Sequence, residues 1–150
     1  MAFERNLWQW LRAGLTPLIA QGRLHICRVE NTVGAGYPDV EGCLDGRTFH
    51  LELKGADRPR RPTTPITVRI RRAQVLWLRK RWAVGGACFL LLRVGQGRQV
   101  RRYMVRGDWA SRIERIPETE LEELSLISID QKPQGIIERA SLIRKGVRAK

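Results

Sequence analysis

Two acidic residues and a lysine are spaced so that one short hairpin would bring them together. Asp45-Gly46 separates two runs of alternating apolar and polar residues, 40–44 and 47–54, which is a strong signal for a two-residue β-hairpin. With that turn, the numbers of paired residues sum to 91, so Asp39 lies opposite Glu52. Directly opposed residues have Cβ atoms about 4.5–5.5 Å apart. The spacing therefore predicts an acidic pair, with Lys54 beside it on the same face.

Such a pair suits the chemistry of phosphate esters. Opposed like charges are destabilising unless they share a proton or hold a cation. Oxygen ligands at this separation suit Mg²⁺, which keeps several waters when bound. The ammonium of Lys54 would orient an attacking water and stabilise charge that develops on a phosphate. The alternative is that Asp39 only begins a strand after Pro38, and that Glu52 and Lys54 form a weak ion pair in solvent.

Composition and charge favour a polyanionic partner. The chain has 150 residues and is 43% hydrophobic, which is enough for one domain with a real core. It carries 28 Lys and Arg against 15 Asp and Glu, a net charge of +13, so nucleic acid is the expected partner. No apolar run reaches membrane-spanning length, and the basic residues do not follow one long amphipathic helix, so we expect no membrane association.

The N-terminus and the cysteines indicate a cytoplasmic protein. Arg5 and Arg12 interrupt the apolar N-terminal residues, so we expect no signal peptide. The three cysteines are well separated and form no CxxC pair, which predicts reduced core thiols rather than a disulfide framework or a zinc site.

The order of predicted elements indicates a mixed α/β domain with helices packed on a small sheet. A helix is followed by three strands, a second helix, a strand, an extra strand and a helical tail. We expect residues 1–107 to form the core and residues 108–150 a helical C-terminal extension of the same domain. The predicted elements are helices 3–19, 71–83 and 117–124, a short helix capped by Asp108, strands 24–30, 40–44, 47–54, 66–70, 87–94 and 99–105, and a loop over 58–65.

At this point the residues resemble the PD-(D/E)XK nuclease superfamily. The matching residues are Pro38-Asp39, then Glu52-Leu53-Lys54, then Gln74 on the following helix. The element order looks like the superfamily's αβββαβ core, a restriction-endonuclease-like fold, over residues 3–94. Within the superfamily the chain looks closest to virus-type replication-repair (VRR) nucleases and to archaeal and phage Holliday junction resolvases. Residues 95–150 carry no such resemblance.

The resemblance implies a role for each matching residue. Asp39 and Glu52 would be ligands of Mg²⁺, for which Mn²⁺ would substitute, and the Leu53 carbonyl would be a third ligand. Lys54 would act on the nucleophilic water or the scissile phosphate, and Gln74 would contact the site from the second helix.

The family usually adds an acidic residue from the first helix, and Glu4 is the candidate. At 100° per residue Glu4 lies within the stripe of Leu7, Leu11, Leu15 and Leu18, so it should point inward. Its alternative is a frayed first turn that the helix dipole favours. Glu30 competes for the same role, with an ion pair to Arg28 as the alternative.

Other residues have mostly structural interpretations. His50 would pair with Glu41 across the hairpin, although it shares the face of Glu52. His25 is read as structural, and Gly34 to Gly36 as a linker, with close approach to a phosphate as the alternative. Trp77 and Trp82 are expected in the core or in a dimer interface.

A basic run flanks the predicted site. From Lys54 to Arg81 there are ten basic residues and one acid, so we expect contacts with DNA phosphates. The sequence thus favours a Mg²⁺-dependent endonuclease that acts on branched or Holliday junction DNA as a homodimer. The alternatives are a non-catalytic DNA-binding module and a restriction-type nuclease on linear duplex. The residues expected to contact DNA are Arg58, Arg60, Arg61, Arg69, Arg71 and Arg72.

Overall fold

The computed structural model describes residues 2–30 and 34–146. Its strands are β1 (Leu24–Arg28), β2 (Val40–Leu44), β3 (Arg47–Ala56), β4 (Ile66–Thr67), β5 (Ala87–Val94), β6 (Arg101–Arg106) and β7 (Arg115–Ile116). Its helices are α1 (Ala2–Ala13), α2 (Thr16–Ala20), α3 (Arg72–Ala83), α4 (Glu118–Leu124) and α5 (Pro133–Leu142), with 3₁₀ turns at Gly97–Gln99 and Gly107–Ile113.

Five of the strands form one mixed sheet in the order β1-β2-β3-β5-β6. Neighbours are antiparallel except β3 and β5, which are parallel and are joined by the crossover helix α3. The short strands β4 and β7 pair separately. The predicted fold class, a small mixed sheet flanked by helices, is confirmed.

The β2–β3 hairpin has the predicted register. Val40 pairs with Leu51 and Glu41 pairs with His50, so paired numbers sum to 91. Both turn residues have positive φ, 49° at Asp45 and 84° at Gly46, which is the type I′ geometry that suits the twist of a tight hairpin.

Helices cover both faces of the sheet. Gly55 of β3 lies directly against the Phe3 side chain, so α1 covers the face on which odd-numbered β3 residues project. Helix α5 contacts α1 and the same sheet, and its Ile136 and Ile137 are fully buried. Helix α3 covers the other face, where the polar residues of β3 project.

The predicted helix over 3–19 is wrong in its length, because two helices replace it. Gly14 lies directly against Pro133 of α5, and Pro17 has no amide hydrogen to continue the first helix. The predicted leucine stripe is nevertheless buried throughout: Leu7, Leu11, Leu15 and Leu18.

Several smaller differences concern element ends and the cysteines. Strand β1 ends at Arg28, and the strand expected over 66–70 is only two residues long. All three cysteines are free, but only Cys88 is buried, while Cys27 and Cys43 are half-buried. In the part of the chain that the structure describes, every helix is too short or too polar to cross a bilayer.

Candidate active site

The acidic pair forms where β3 extends past the start of β2. The last pair of the hairpin is Val40 with Leu51, so β3 from Glu52 onward has no strand partner on that side. Asp39 occupies this position, because its Oδ2 accepts a hydrogen bond of 2.9 Å from the Leu53 N–H. The Asp39 carbonyl in turn accepts from the Val29 N–H at 2.7 Å. A side chain thus continues the ladder and holds the Asp39 carboxylate beside Glu52.

Glu52 is a buried carboxylate with one satisfied oxygen and one free oxygen. Its exposed fraction is 1%, and its Oε1 accepts a hydrogen bond of 2.6 Å from Gln74 Nε2. Lys54 Nζ lies 3.6 Å from the same oxygen. Oε2 is buried and has no hydrogen-bond partner among the described residues. Burial, and after it the charge of Asp39, raise the pKa of Glu52 to about 8 in spite of the opposing charge of Lys54.

Gln74 links the polar face of β3 to the first turn of α3. Its Oε1 accepts hydrogen bonds from Lys54 Nζ at 3.0 Å and from the Arg71 backbone N–H at 2.9 Å. Both partners only donate, so the amide orientation is fixed and Nε2 must face Glu52. Gln74 therefore positions the Lys54 ammonium and the Glu52 carboxylate relative to each other.

These residues form an all-oxygen donor set that fits a hard divalent cation. Leu53 presents its N–H to Asp39, and its carbonyl points to the same strand edge, because both groups of a β-residue face one side. The free oxygen of Glu52 is the polar atom that a cation would satisfy. Within residues 2–30 and 34–146, no three His, Cys, Asp or Glu side chains cluster as ligands. Two carboxylates, a carbonyl and waters are what Mg²⁺ accepts.

The two other candidate carboxylates differ in their surroundings. Glu30 is exposed, and alternation along the β1 direction places it on the face of Arg28 and Val40, opposite the acidic pair. The structure therefore does not bring Glu30 to the acidic pair, and its catalytic role stays a prediction. Glu4 points inward, as its place in the leucine stripe predicted, since its Oε2 is buried without a described hydrogen-bond partner. Helix α1 lies on the other face of the sheet. Glu4 could therefore approach Glu52 only around the part of β3 that extends past β2.

An aromatic cluster lies beside the acidic pair. His50 Nε2 lies 3.4 Å from Glu41 Oε1, the predicted cross-strand pair, and 3.2 Å from the Tyr37 hydroxyl. The rings of Tyr37, His50 and Trp77 meet edge to face. Burial lowers the pKa of His50, which favours the neutral imidazole. Sequence analysis missed Tyr37, although its position two residues before Asp39 puts it on the same face.

Gly36 fixes the position of Asp39 relative to α3. Its φ is +83°, and a Cβ at this residue would lie 2.1 Å from the Ala73 carbonyl oxygen, one residue before Gln74. This glycine is required by direct backbone packing, so the linker interpretation is wrong for it.

We expect the Gly36→Ala substitution to cost about 3 kcal/mol of unfolding free energy, through left-handed strain and overpacking. Gly22→Ala is the matched control, because Gly22 has φ +70° but open space around it. Strain alone should cost that variant about 1 kcal/mol. Urea unfolding measures both variants, and equal losses would mean that the contact with α3 is unimportant.

One arginine expected to contact DNA also has a structural role. The Arg58 guanidinium donates to both carboxylate oxygens of Glu118, at 2.7 and 2.9 Å, and to the Gln99 carbonyl at 2.6 Å. The Glu118 carboxylate also accepts from the Tyr103 hydroxyl at 2.6 Å. These bonds use three of the five N–H donors of Arg58 and tie its guanidinium to α4, so its contact with DNA stays a prediction. The other five arginines of that set remain exposed: Arg60, Arg61, Arg69, Arg71 and Arg72.

The Arg58–Glu118 pair should make stability depend on acidic pH. The guanidinium holds the pKa of Glu118 below its usual value, so the pair stabilises the fold above about pH 4.5 and is lost as the pH falls through the folded pKa. We expect Arg58→Ala to cost about 2 kcal/mol at pH 7. The difference from the unsubstituted protein should shrink below about pH 4 in denaturant titrations. A loss that stays constant with pH would contradict this role.

Comparison with known proteins supports the fold rather than a close relationship in sequence. No protein-family model matches the chain, and no curated protein matches it. Among solved structures, it is similar to Hjc from Archaeoglobus fulgidus, a Holliday junction resolvase from an archaeal hyperthermophile, with a TM-score of 0.52 and 17% identity. The match covers 88% of this chain and 98% of that chain, so the structural likeness extends past residue 94. The chain therefore has the mixed α/β fold of this resolvase.

Proposed function

We propose that this protein is a divalent-metal-dependent endonuclease that hydrolyses phosphodiester bonds in DNA, and that it belongs to the PD-(D/E)XK nucleases. The observation that carries the proposal is the buried cluster of Asp39, Glu52, Lys54 and Gln74. Two adjacent carboxylates, one with a free buried oxygen, stand beside an ammonium that Gln74 holds at 3.0 Å. The buried Glu52 oxygen without a partner among the described residues is a group that a bound cation would satisfy.

Each side chain has a definite task in this proposal. Asp39, Glu52 and the Leu53 carbonyl would hold Mg²⁺, with Mn²⁺ as a substitute. When bound, the ion would polarise the scissile phosphate and lower the pKa of a water. Lys54 would orient the nucleophile and stabilise the developing phosphate charge. Gln74 keeps the Lys54 ammonium and the Glu52 carboxylate in place, so it is a positioning residue.

Branched DNA is the proposed substrate class. The net charge of +13 indicates a polyanion, and the solved structure of similar fold is named as a Holliday junction resolvase. Symmetric cleavage of a four-way junction needs two sites, so we propose a homodimer.

The test is incubation of the pure protein with labelled linear, flap and four-way DNA, in Mg²⁺, Mn²⁺ or EDTA. We expect metal-dependent cleavage of the branched substrates and none in EDTA. The Asp39→Asn variant should still bind DNA but not cut it. Binding without cleavage by the unsubstituted protein would instead identify a DNA-binding module, and preferential cutting of linear duplex at one sequence would identify a restriction-type nuclease.

A further inference from the structure

A concave surface lies just beyond the ends of β3 and β5. A cavity of about 720 Å³ opens between the proline-rich loop, residues 58–65, and the β5–β6 hairpin around residues 98–102, with α4 as its third wall. Arg58 fixes these walls together, because it binds Glu118 of α4 and the Gln99 carbonyl of the hairpin. The cavity is therefore built from three elements that one half-buried ion pair connects.

The walls carry more positive than negative charge. Arg58 and Glu118 neutralise each other, and two further acids, Glu122 and Asp130, line the cavity. Five further arginines line it, three of them from the hairpin region and absent from the basic run that sequence analysis singled out. These five arginines are Arg60, Arg61, Arg98, Arg101 and Arg102.

Arg102 is held in place without a described acidic partner. Its guanidinium lies 3.6 Å from the ring centroid of Trp10, and its Nε is buried with no hydrogen-bond acceptor among the described residues. Its cross-strand neighbour is Arg93, which stacks over Phe3. Of the two, only Arg102 lines the cavity, and both stack on aromatic rings of α1. Arg102 therefore adds positive charge to the cavity wall, while Arg93 has no part in it.

The cavity lies close to the candidate active site along the chain, although the two share no lining residue. Gly95 donates to the Ala56 carbonyl, so the hairpin begins where β3 ends, two residues past Lys54. Four extended residues, from Lys54 to Arg58, span at most about 13 Å. That distance corresponds to a few nucleotides of a DNA backbone, not to a separate binding surface.

We infer that this cavity binds the sugar-phosphate backbone of one unpaired DNA strand that leaves the scissile phosphate. A cavity of this volume accommodates a few nucleotides of a single strand. Prolines and arginines of the loop form one wall, and the arginines of the hairpin form the other. The inference rests on the proposed function, and it narrows the substrate to DNA in which a single strand diverges next to the cleavage point.

The test combines Arg60→Ala with Arg101→Ala and measures DNA binding in the non-cleaving Asp39→Asn background. The probes are a blunt duplex and the same duplex with a single-stranded tail of about ten nucleotides. We expect the affinity for the tailed probe to fall at least tenfold, with the salt slope reduced by about 1.4 for two phosphates lost. Binding of the blunt duplex should change less than twofold.

The control pair is Arg12→Ala with Arg47→Ala, which removes the same charge from exposed arginines, one on α1 and one at the far end of β3. An equal loss in the control pair, or an equal loss for both probes, would overturn the inference. Cleavage by the chain with an intact Asp39 is measured separately. If the protein does not cleave DNA but the selective loss of binding is seen, the proposed nuclease activity is wrong and the proposed binding of a single strand in the cavity is supported.

Discussion

Replacing Glu52 with glutamine is expected to abolish cleavage and, in the absence of metal, to make the protein more stable. Glu52 is almost completely buried, and its pKa lies near 8 when the protein is folded. In the unfolded chain the same carboxyl ionises near pH 4.5. The native state therefore holds a proton that the unfolded state has released, and this costs stability as the pH rises from about 4.5 to 8. Glutamine keeps the contact with Gln74 and removes that cost.

The expected gain is about 2 to 3 kcal/mol at pH 7, and it should approach zero near pH 4.5. Urea unfolding in EDTA across this pH range measures it. Glu41→Gln is the matched control, because Glu41 is a half-exposed carboxylate on the same hairpin face. Its stability should change little, and its cleavage should remain. A Glu52→Gln variant that is less stable at every pH, or that still cuts DNA, would contradict the proposed role of this carboxylate.

Replacing Lys54 with methionine is expected to lower the single-turnover cleavage rate by about 10² to 10³ at saturating metal. Methionine retains much of the buried stem but removes the ammonium that Gln74 and Glu52 hold. Because Lys54 is only 9% exposed, the substitution should change DNA affinity less than about threefold, unlike the loss of an exposed phosphate contact.

The matched control for this prediction is Lys80→Met, which removes an exposed ammonium from α3. We expect Lys80→Met to leave the chemical step unchanged. If Lys54→Met cleaves at the normal rate, or if its defect disappears at high protein concentration, Lys54 has no part in the reaction.

Local patterns were sufficient to predict the hairpin and the fold class. A two-residue turn fixes the register of everything it connects, so Asp45-Gly46 determines that Asp39 and Glu52 project from one edge of the sheet. Alternation then separates the apolar face of β3 from its polar face. The hydrophobic pattern alone did not predict the position of Gln74. Its contact with the site was expected only from the family resemblance.

Contacts between residues far apart in the chain could not be predicted. The break after α1 depends on Gly14 meeting Pro133, and the strict need for a glycine at residue 36 depends on the Ala73 carbonyl. Arg58 was assigned to DNA because Glu118, sixty residues later, gave no sign of its position. Glu30 follows the end of β1, and a shift of one residue along a strand reverses the face that a side chain occupies. The sequence alone therefore could not place Glu30.

The most direct test is titration of the protein with Mn²⁺ in the absence of DNA, followed by electron paramagnetic resonance. We expect an ion bound at Asp39 and Glu52 in the unsubstituted protein and in Glu41→Gln, with affinity rising toward pH 8 as the proton on Glu52 is displaced. Asp39→Asn and Glu52→Gln should lose that ion. Equal Mn²⁺ binding by all four proteins, or binding by none of them, would contradict the assignment of this acidic pair as a metal site.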